Sequence, residues 1–541
     1  MKVLEIPLGK RTKFYRFFEM LPAIISVGAI VALILLSVFS PVAASIFVLF
    51  LVIMMFVKAL AMAFRTIQGY IVYKKTSALA WSRRLRNLST PETSLEKVIA
   101  LDSSIYGVKQ HAENLKRIID NPRDYPKPDD IYHGVFVMIY NEGYTTVKPT
   151  IEAIVKSDYD LSKLIIVLAY EERGGEDTQK MIDKIVKEYD GVFKDILPIM
   201  HPVGLPDEIV GKGPNATYAG YKFADYVAKE KIDPKDVIVT TLDADNRVEK
   251  NYFPYLTYEW IMAPNRQKVA YQPVCLFTNN IWDVPAPMRV VAVGNSFWNI
   301  ISSMRPHLLR NFASHAQGLE ALIDMDFWSK RTIVEDGHHY YRSYFHFDGD
   351  YSVIPLKVSI GQDAVLSDGY WKSFKAQFVQ VRRWAYGASD VAYVADSIRK
   401  RSKKVKFWPA FTRWVRLLDS HVTQAIVAPV VAFGGWIPLI ISPDSAQALS
   451  VHELPIVIGN IQQIAMIGIA VTVFTSFLML PQKPARYKKS RNILMVLQWV
   501  IMPITSIVYA SASAYYSQIR LFLGKYLTVF DVTEKYQITE K

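Results

Sequence analysis

The sequence predicts an α/β domain, a mixed but mainly parallel sheet with helices on both faces, attached to an α-helical membrane bundle of about five spans. Three observations predict it. Charge-free stretches occupy both ends of the 541-residue chain. Between them, short apolar runs alternate with segments of helical period. The mean hydropathy is positive, at +0.12, although the formal net charge is +13.

The membrane elements come first. Leu21–Val57 contains no charged residue. That is too long for one span of about 20 residues and long enough for two. Ser40-Pro41 falls in the middle, which places the spans at about 21–39 and 42–62. A cleaved signal peptide does not fit, because a second apolar stretch follows at once. Later charge-free windows, Val422–Pro443, Leu454–Gln482 and Asn492–Ile519, predict spans at about 422–441, 455–480 and 494–515. Orientation follows from Lys and Arg in the flanks. Lys2, Lys10, Arg11, Lys13 and Arg16 precede the first span, and Arg65, Lys74, Lys75, Arg83, Arg84 and Arg86 follow the second. Loop 481–492 is basic, whereas loop 442–453 has no Lys or Arg. This puts the N-terminus, region 64–420 and loop 481–492 in the cytoplasm of a multi-pass plasma-membrane protein. Five spans leave the C-terminus outside. The tail at 517–535 is amphipathic and fits either face.

The middle region is polar enough to fold in water. Its apolar runs are 133–143, 161–177, 236–245 and 268–277, separated by helical patterns at Thr146–Lys156, Thr178–Glu188 and Asn215–Lys229. Short buried strands alternating with helices argue for a parallel sheet. Ligands of such sheets bind at the carboxyl ends of the strands. Asn141, Glu142, Glu171, Glu172, Asp243 and Asp245 fall there. The lone cysteine, Cys275, excludes an internal disulfide and reads as a buried, inert thiol. The basic balance, with a pI near 9.3, suits nucleic acid, an anionic membrane face or anionic small substrates. No nucleic-acid partner is expected.

Four motifs carry chemistry. Asp243-Ala-Asp245 ends an apolar run. In a basic protein, such paired acids suit a divalent cation shared with a phosphate, although Asp-x-Asp also occurs as a helix or turn cap. The segment 211–217, GKGPNAT, opens a helix, where backbone amides and Lys212 could meet a phosphate. Glu335 and Asp336 follow a short apolar run, and a carboxylate there could accept a proton or pair with a nearby arginine. Gln380, Arg382, Arg383 and Trp384 combine bidentate cations with a flat apolar ring. The same residues could belong to a basic-aromatic helix on lipid, as the stretch 399–418 does.

In this order the motifs resemble those of membrane-integrated family 2 glycosyltransferases, the group of cellulose, hyaluronan and chitin synthases. The resemblance covers the soluble region and its flanking helices. It implies a GT-A-like catalytic domain at 131–398, after a transmembrane hairpin (1–63) and cytosolic linker helices (64–130). An amphipathic interfacial helix (399–420) and a C-terminal bundle with its tail (421–541) follow. It implies Asp245 and Asp243 as ligands of Mg²⁺ or Mn²⁺, with Asp243 also orienting the nucleotide. Asp336, beside Glu335, becomes the base of an inverting displacement. Lys212, Gln380 and Arg383, with Asn141, Glu142, Glu171 and Glu172 at the strand ends, hold the nucleotide sugar. Trp384 stacks on the acceptor. Two positions depart from the family pattern. Val334 replaces the threonine of T-E-D, and Ala169-Tyr170-Glu171-Glu172 replaces an Asp-Asp-Gly strand end.

The expected activity is therefore a metal-dependent hexosyl transfer from a nucleotide-diphosphate donor to a polysaccharide, with export through the bundle. The alternatives are single-step transfer to a lipid carrier, or a transporter or membrane scaffold with a nucleotide-sensing domain. Of the five expected spans only 42–62 contains a charged residue, Lys58 near its end, which speaks against ion coupling.

Overall fold

The computed structural model describes residues 4–444 and 448–531. Residues 445–447 of the expected outer loop and 532–535 of the expected amphipathic tail lie outside the described residues. The sheet has eight strands in the order β3-β2-β1-β4-β7-β6-β8-β5. β1 (Tyr132–Ile139), β2 (Leu164–Glu171), β3 (Asp195–His201) and β4 (Val237–Asp243) are parallel. β7 (Ala316–Gly318) runs antiparallel to both β4 and β6 (Val269–Leu276). β8 (Ser352–Gly361) is parallel to β6, and the short β5 (Arg247–Val248) pairs antiparallel with β8.

Side chains alternate across a strand, so a strand covered on both faces must be apolar at every position. Val135, Val137 and Ile139 of β1 pack into one core with Ile166 and Leu168 of β2. Phe136 and Met138 pack into the opposite core with Ile165 and Val167. The four apolar runs of the sequence are thus β1, β2, β4 and β6. β3 is an edge strand, which is where Pro198 can sit without leaving a gap in a ladder. Pro273 lies inside β6 and has no N–H to donate. The β6–β8 register shifts between Pro273 and Val274.

Among the described residues, three helices are long and apolar enough to cross a membrane: Lys13–Phe39, Pro41–Ser77 and Ser490–Phe522. Pro41 starts the second helix at a position where its missing N–H costs nothing. That helix runs on past residue 63, where a boundary was expected. Its end docks on the sheet, with Tyr73 Oη donating to Glu249 Oε1 (2.7 Å) and Ser77 Oγ to the Lys357 carbonyl (3.1 Å). The windows at 422–441 and 455–480 fall on helices Phe407–Phe433 and Leu454–Met479. Over 399–420 the chain forms the end of helix Asp390–Lys400, a turn, and the first half of Phe407–Phe433, rather than one amphipathic helix.

The window at 494–515 falls on Ser490–Phe522 and also contacts the sheet domain. Both ends of Ser490–Phe522 are fastened near the sheet domain. At one end Arg486 pairs with Asp283 (2.8 Å) and Arg491 Nη2 donates to the Trp282 carbonyl (2.8 Å). In between, Arg289 Nε donates to Gln498 Oε1 (2.6 Å), and Ser517 Oγ to the Arg382 carbonyl (2.8 Å). At the other end Arg16 bonds the Leu521 and Phe522 carbonyls. The chain then turns at Gly524 (φ +68°) and returns to the domain, where Phe530 N–H donates to the Val210 carbonyl (2.9 Å). The expected span at 494–515 falls within Ser490–Phe522, one of the three helices long and apolar enough to cross.

Candidate active site

β1, β2 and β4 end side by side. Met138 is level with Asp243 and Ile139 with Tyr170. Their carboxyl ends form one wall of a cavity of about 360 Å³, which also takes residues from β6 and from helices Lys212–Lys229, Ala286–Ser303, Glu335–His346 and Tyr370–Ala385. Of the residues singled out in the sequence, Glu142, Glu171, Lys212, Asp243, Asp245, Glu335, Asp336, Gln380, Arg383 and Trp384 line it. Asn141 is exposed outside this wall, and Glu172 is turned away, accepting from Val203 N–H at 2.8 Å.

Lys212 is the hub of the charged end. Its Nζ lies 2.9 Å from Asp243 Oδ1, 3.3 Å from Asp336 Oδ2 and 3.5 Å from Glu335 Oε1. Burial works against this ammonium, but the three carboxylates outweigh it and carry the Lys212 pKa well above the usual lysine value. The close approach needs Gly213, since a Cβ there would come within 2.5 Å of the Ser329 carbonyl oxygen and 3.2 Å of Glu335 Cβ. Glu335 and Asp336 open a helix, so two adjacent acids occupy the end that favours negative charge. They differ in surroundings. Burial, then the charge of Asp336, pushes Glu335 up to about 8. Asp336 keeps 22% of its side chain exposed.

Asp245 is buried. Its Oδ2 accepts the Asp363 N–H at 2.8 Å, and its carbonyl accepts from Asn279 Nδ2 at 2.8 Å. Asp363, just beyond β8, also lines the cavity. Asp243, Asp245 and Asp363 are hard oxygen donors of the kind that suits Mg²⁺ or Mn²⁺. Among the described residues, no three His, Cys, Asp or Glu side chains form a ready-made metal cluster. A cation here would complete its shell from water and phosphate, which is how Mg²⁺ usually binds. The donor set therefore fits such an ion.

The other end of the cavity is aromatic and amide-rich. Trp384 is 36% exposed, with its ring centroid 6.3 Å from that of Phe277. Asn295, Trp298 and Asn299 share one face of helix Ala286–Ser303 and line the same space. Gln380 accepts from Gln377 Nε2 at 3.1 Å. Arg383 stacks its guanidinium 3.9 Å over Phe530 of the C-terminal tail, and Arg382 pairs with Asp531 of the same tail.

Several residues in or behind the wall carried no signal in the sequence. Asp363 is a single acid in a loop, and Phe530 belongs to a distant segment. His315 sits behind Asp336, 4.0 Å from its Oδ1. Its Nδ1 bonds the Phe312 carbonyl (2.9 Å) and its Nε2 accepts from the Trp328 indole (3.2 Å). That pattern makes Nδ1 the protonated nitrogen. Glu142 folds back onto its own turn, accepting from Tyr140 N–H at 2.7 Å, and Glu171 is clasped by Arg173 at 2.5 and 3.0 Å. Burial pushes the Cys275 thiol up to about 12, in keeping with an inert residue.

No protein-family model and no curated protein matches the chain. Among solved structures it is similar to the mannosyltransferase PcManGT from Pyrobaculum calidifontis in complex with GDP-Man and Mn²⁺. The identity is 15%, over 83% of this chain and 99% of that one, with a TM-score of 0.39. It is also similar to GalNAc-T7 with UDP, GalNAc and Mn²⁺ (11% identity, 54% of this chain and 58% of that one, TM-score 0.33). A third is S. aureus TarS 1–349 with UDP-GlcNAc (15%, 62% and 92%, TM-score 0.29). Likeness this loose assigns neither fold nor activity, and the functional reading rests on the cleft.

Proposed function

We propose that this chain is a membrane-bound, inverting glycosyltransferase of the family 2 type. It moves a hexose from a nucleotide-diphosphate donor to a growing polysaccharide at the cytoplasmic face of the plasma membrane. The observation that carries the reading is the pairing, in one cavity, of a Lys212-centred carboxylate cluster with an exposed Trp384. A charged end suits a diphosphate and a proton transfer, and an indole face suits a sugar ring.

Asp336, the more exposed of the two adjacent acids, takes the proton from the acceptor hydroxyl. The freed oxygen attacks the anomeric carbon, the bond to the diphosphate breaks, and the configuration inverts. Glu335 holds its own proton near neutrality, so only one negative charge faces the attacking oxygen. Arg383 offsets charge on the departing diphosphate. Asp245 and Asp243 would hold Mg²⁺ or Mn²⁺, which would supply positive charge against the diphosphate. Trp384 and Phe277 hold the terminal acceptor ring. Trp298, Asn295 and Asn299 extend that surface, which favours a saccharide acceptor over a single lipid headgroup.

We also propose four crossings, by helices Lys13–Phe39, Pro41–Ser77, Phe407–Phe433 and Leu454–Met479, with Ser490–Phe522 lying along the domain and both termini in the cytoplasm. A C-terminal tag accessible only from the cytoplasmic side is the expected result. Purified protein in liposomes, given labelled nucleotide sugars with Mg²⁺ or Mn²⁺, should make a product that lengthens with time. A product of one sugar on lipid would replace the processive reading. No turnover of any nucleotide sugar would end the enzymatic one.

A further inference from the structure

Outside the cleft, three arginines from distant parts of the chain meet at one junction. Lys58, Arg65 and Gly69 follow one another at helical spacing on one face of helix Pro41–Ser77. Lys58 Nζ reaches Asp419 Oδ2 of helix Phe407–Phe433 at 3.4 Å. Gly69 abuts Ile300 and Met304, where a Cβ would come within 2.5 Å of Ile300 Cγ2 and 3.1 Å of Met304 Cγ. Arg65 lies one turn before Gly69, Arg305 follows Met304, and Arg416 lies one turn before Asp419. The two anchored contacts thus bring the three positions to one junction, where Arg305 feels the charge of both Arg65 and Arg416. Burial, then repulsion from Arg65 and Arg416, lowers the pKa of Arg305. Among the described residues, none of the three forms an ion pair with a carboxylate, and the nearby Asp419 is engaged by Lys58.

Three like charges gathered without a counter-charge repel one another, and an anion between them relieves that repulsion. The surroundings indicate its source. Phe64 is 70% exposed, and Met62, Ile67 and Val415 are exposed beside the arginines. The junction also lies just beyond the point where the charge-free stretch of Pro41–Ser77 ends at Val57. Guanidinium groups next to bare apolar side chains, at headgroup depth, suit a phosphate that carries acyl chains.

We propose that Arg65, Arg305 and Arg416 form a binding site for the phosphate of an anionic membrane lipid. The site is separate from the cleft and does not depend on the glycosyltransferase reading. It fixes the junction of two membrane helices with the end of Ala286–Ser303, the helix that carries Trp298.

The test is native mass spectrometry of the full-length protein, released from micelles doped with phosphatidylglycerol or phosphatidylcholine. Wild type should retain phosphatidylglycerol and not phosphatidylcholine. R65Q/R305Q/R416Q should retain about a hundredfold less, at roughly fivefold per arginine near an anionic lipid. R65K/R305K/R416K, which keeps the charge, should recover most of the binding and separates loss of the site from loss of the fold. K488Q/K489Q, in the exposed loop 481–492, should bind as wild type does. Equal retention of both lipids, undiminished retention by the glutamine variant, or loss in the loop variant would overturn the assignment. Displacement of the lipid by equimolar inorganic phosphate would overturn the lipid source and leave a site for free anions.

Discussion

The two ends of the cleft are built from different chemistry. At one end, Asp243, Glu335 and Asp336 surround Lys212, with Asp245 pinned to the Asp363 amide behind them. At the other, Trp384, Phe277, Trp298 and two asparagines present flat or neutral surface. The charged groups are held by one another, at distances that leave little freedom. The aromatic end is held by packing, and its working surface stays exposed. The difference teaches a division of labour. Bond-making is assigned to groups whose charges fix their positions, and sliding or release of a ring to groups that bind without charge. Substitutions at the two ends should therefore fail in different ways.

The sharpest break comes from Asp336. D336N keeps the shape and removes the proton acceptor. Transfer should fall about a thousandfold, the usual scale for a lost general base, while donor affinity measured by calorimetry stays near wild type. Retained transfer would move the base elsewhere and dissolve the proposed division. Next is D245N. It should raise the Mn²⁺ concentration needed for half-maximal donor binding by roughly ten- to a hundredfold, with the Asp363 N–H left facing an amide. An unchanged cation requirement would remove Asp245 from the donor set.

The legibility of the sequence follows the same physics. β1, β2, β4 and β6 were readable because burial on both faces makes most of their positions apolar. β3 was not, since it is an edge strand with exposed Met200 and a proline. β8 was not, since Pro355 and Lys357 interrupt it. In the cleft, adjacent acids and the Gln-Arg-Trp cluster could be read because their chemistry is concentrated in a few residues. Asp363 and His315 could not, being single residues brought in by β8 and by the turn before β7. The contacts that Gln498 and Ser517 make with protein around the 494–515 window could not be read either, because a hydropathy pattern does not record them.

A smaller effect is expected at the aromatic end. W384A removes a stacking surface and no charge. An aromatic contact of this kind is worth about 1 kcal/mol, so KM for an oligosaccharide acceptor should rise roughly five- to tenfold. Hydrolysis of the donor in the absence of acceptor should be unaffected. If donor hydrolysis fell as far as transfer, Trp384 would belong with the charged end, and the cleft would not divide as described.

The smallest effect separates two neighbours within the charged end. Glu335 faces Asp336, Lys212 and Arg383, and its pKa rises from 4.5 to about 8, first through burial and then through Asp336. Below pH 8 it therefore carries a proton, as a glutamine mimic would. E335Q should keep transfer within about threefold of wild type at pH 7, since one neutral hydrogen-bonding group replaces another. The sign is set by linkage. A carboxyl whose folded pKa is raised contributes stability that is full below pH 4.5 and is lost as pH rises through about 8. Wild type should thus lose thermal stability relative to E335Q as pH climbs across that window, measured as the difference in Tm between the two proteins at each pH. A difference that stays constant with pH would show that Glu335 is already ionised in the fold. The cluster around Lys212 would then hold three negative charges, and the assignment of a single negative charge facing the acceptor would fail.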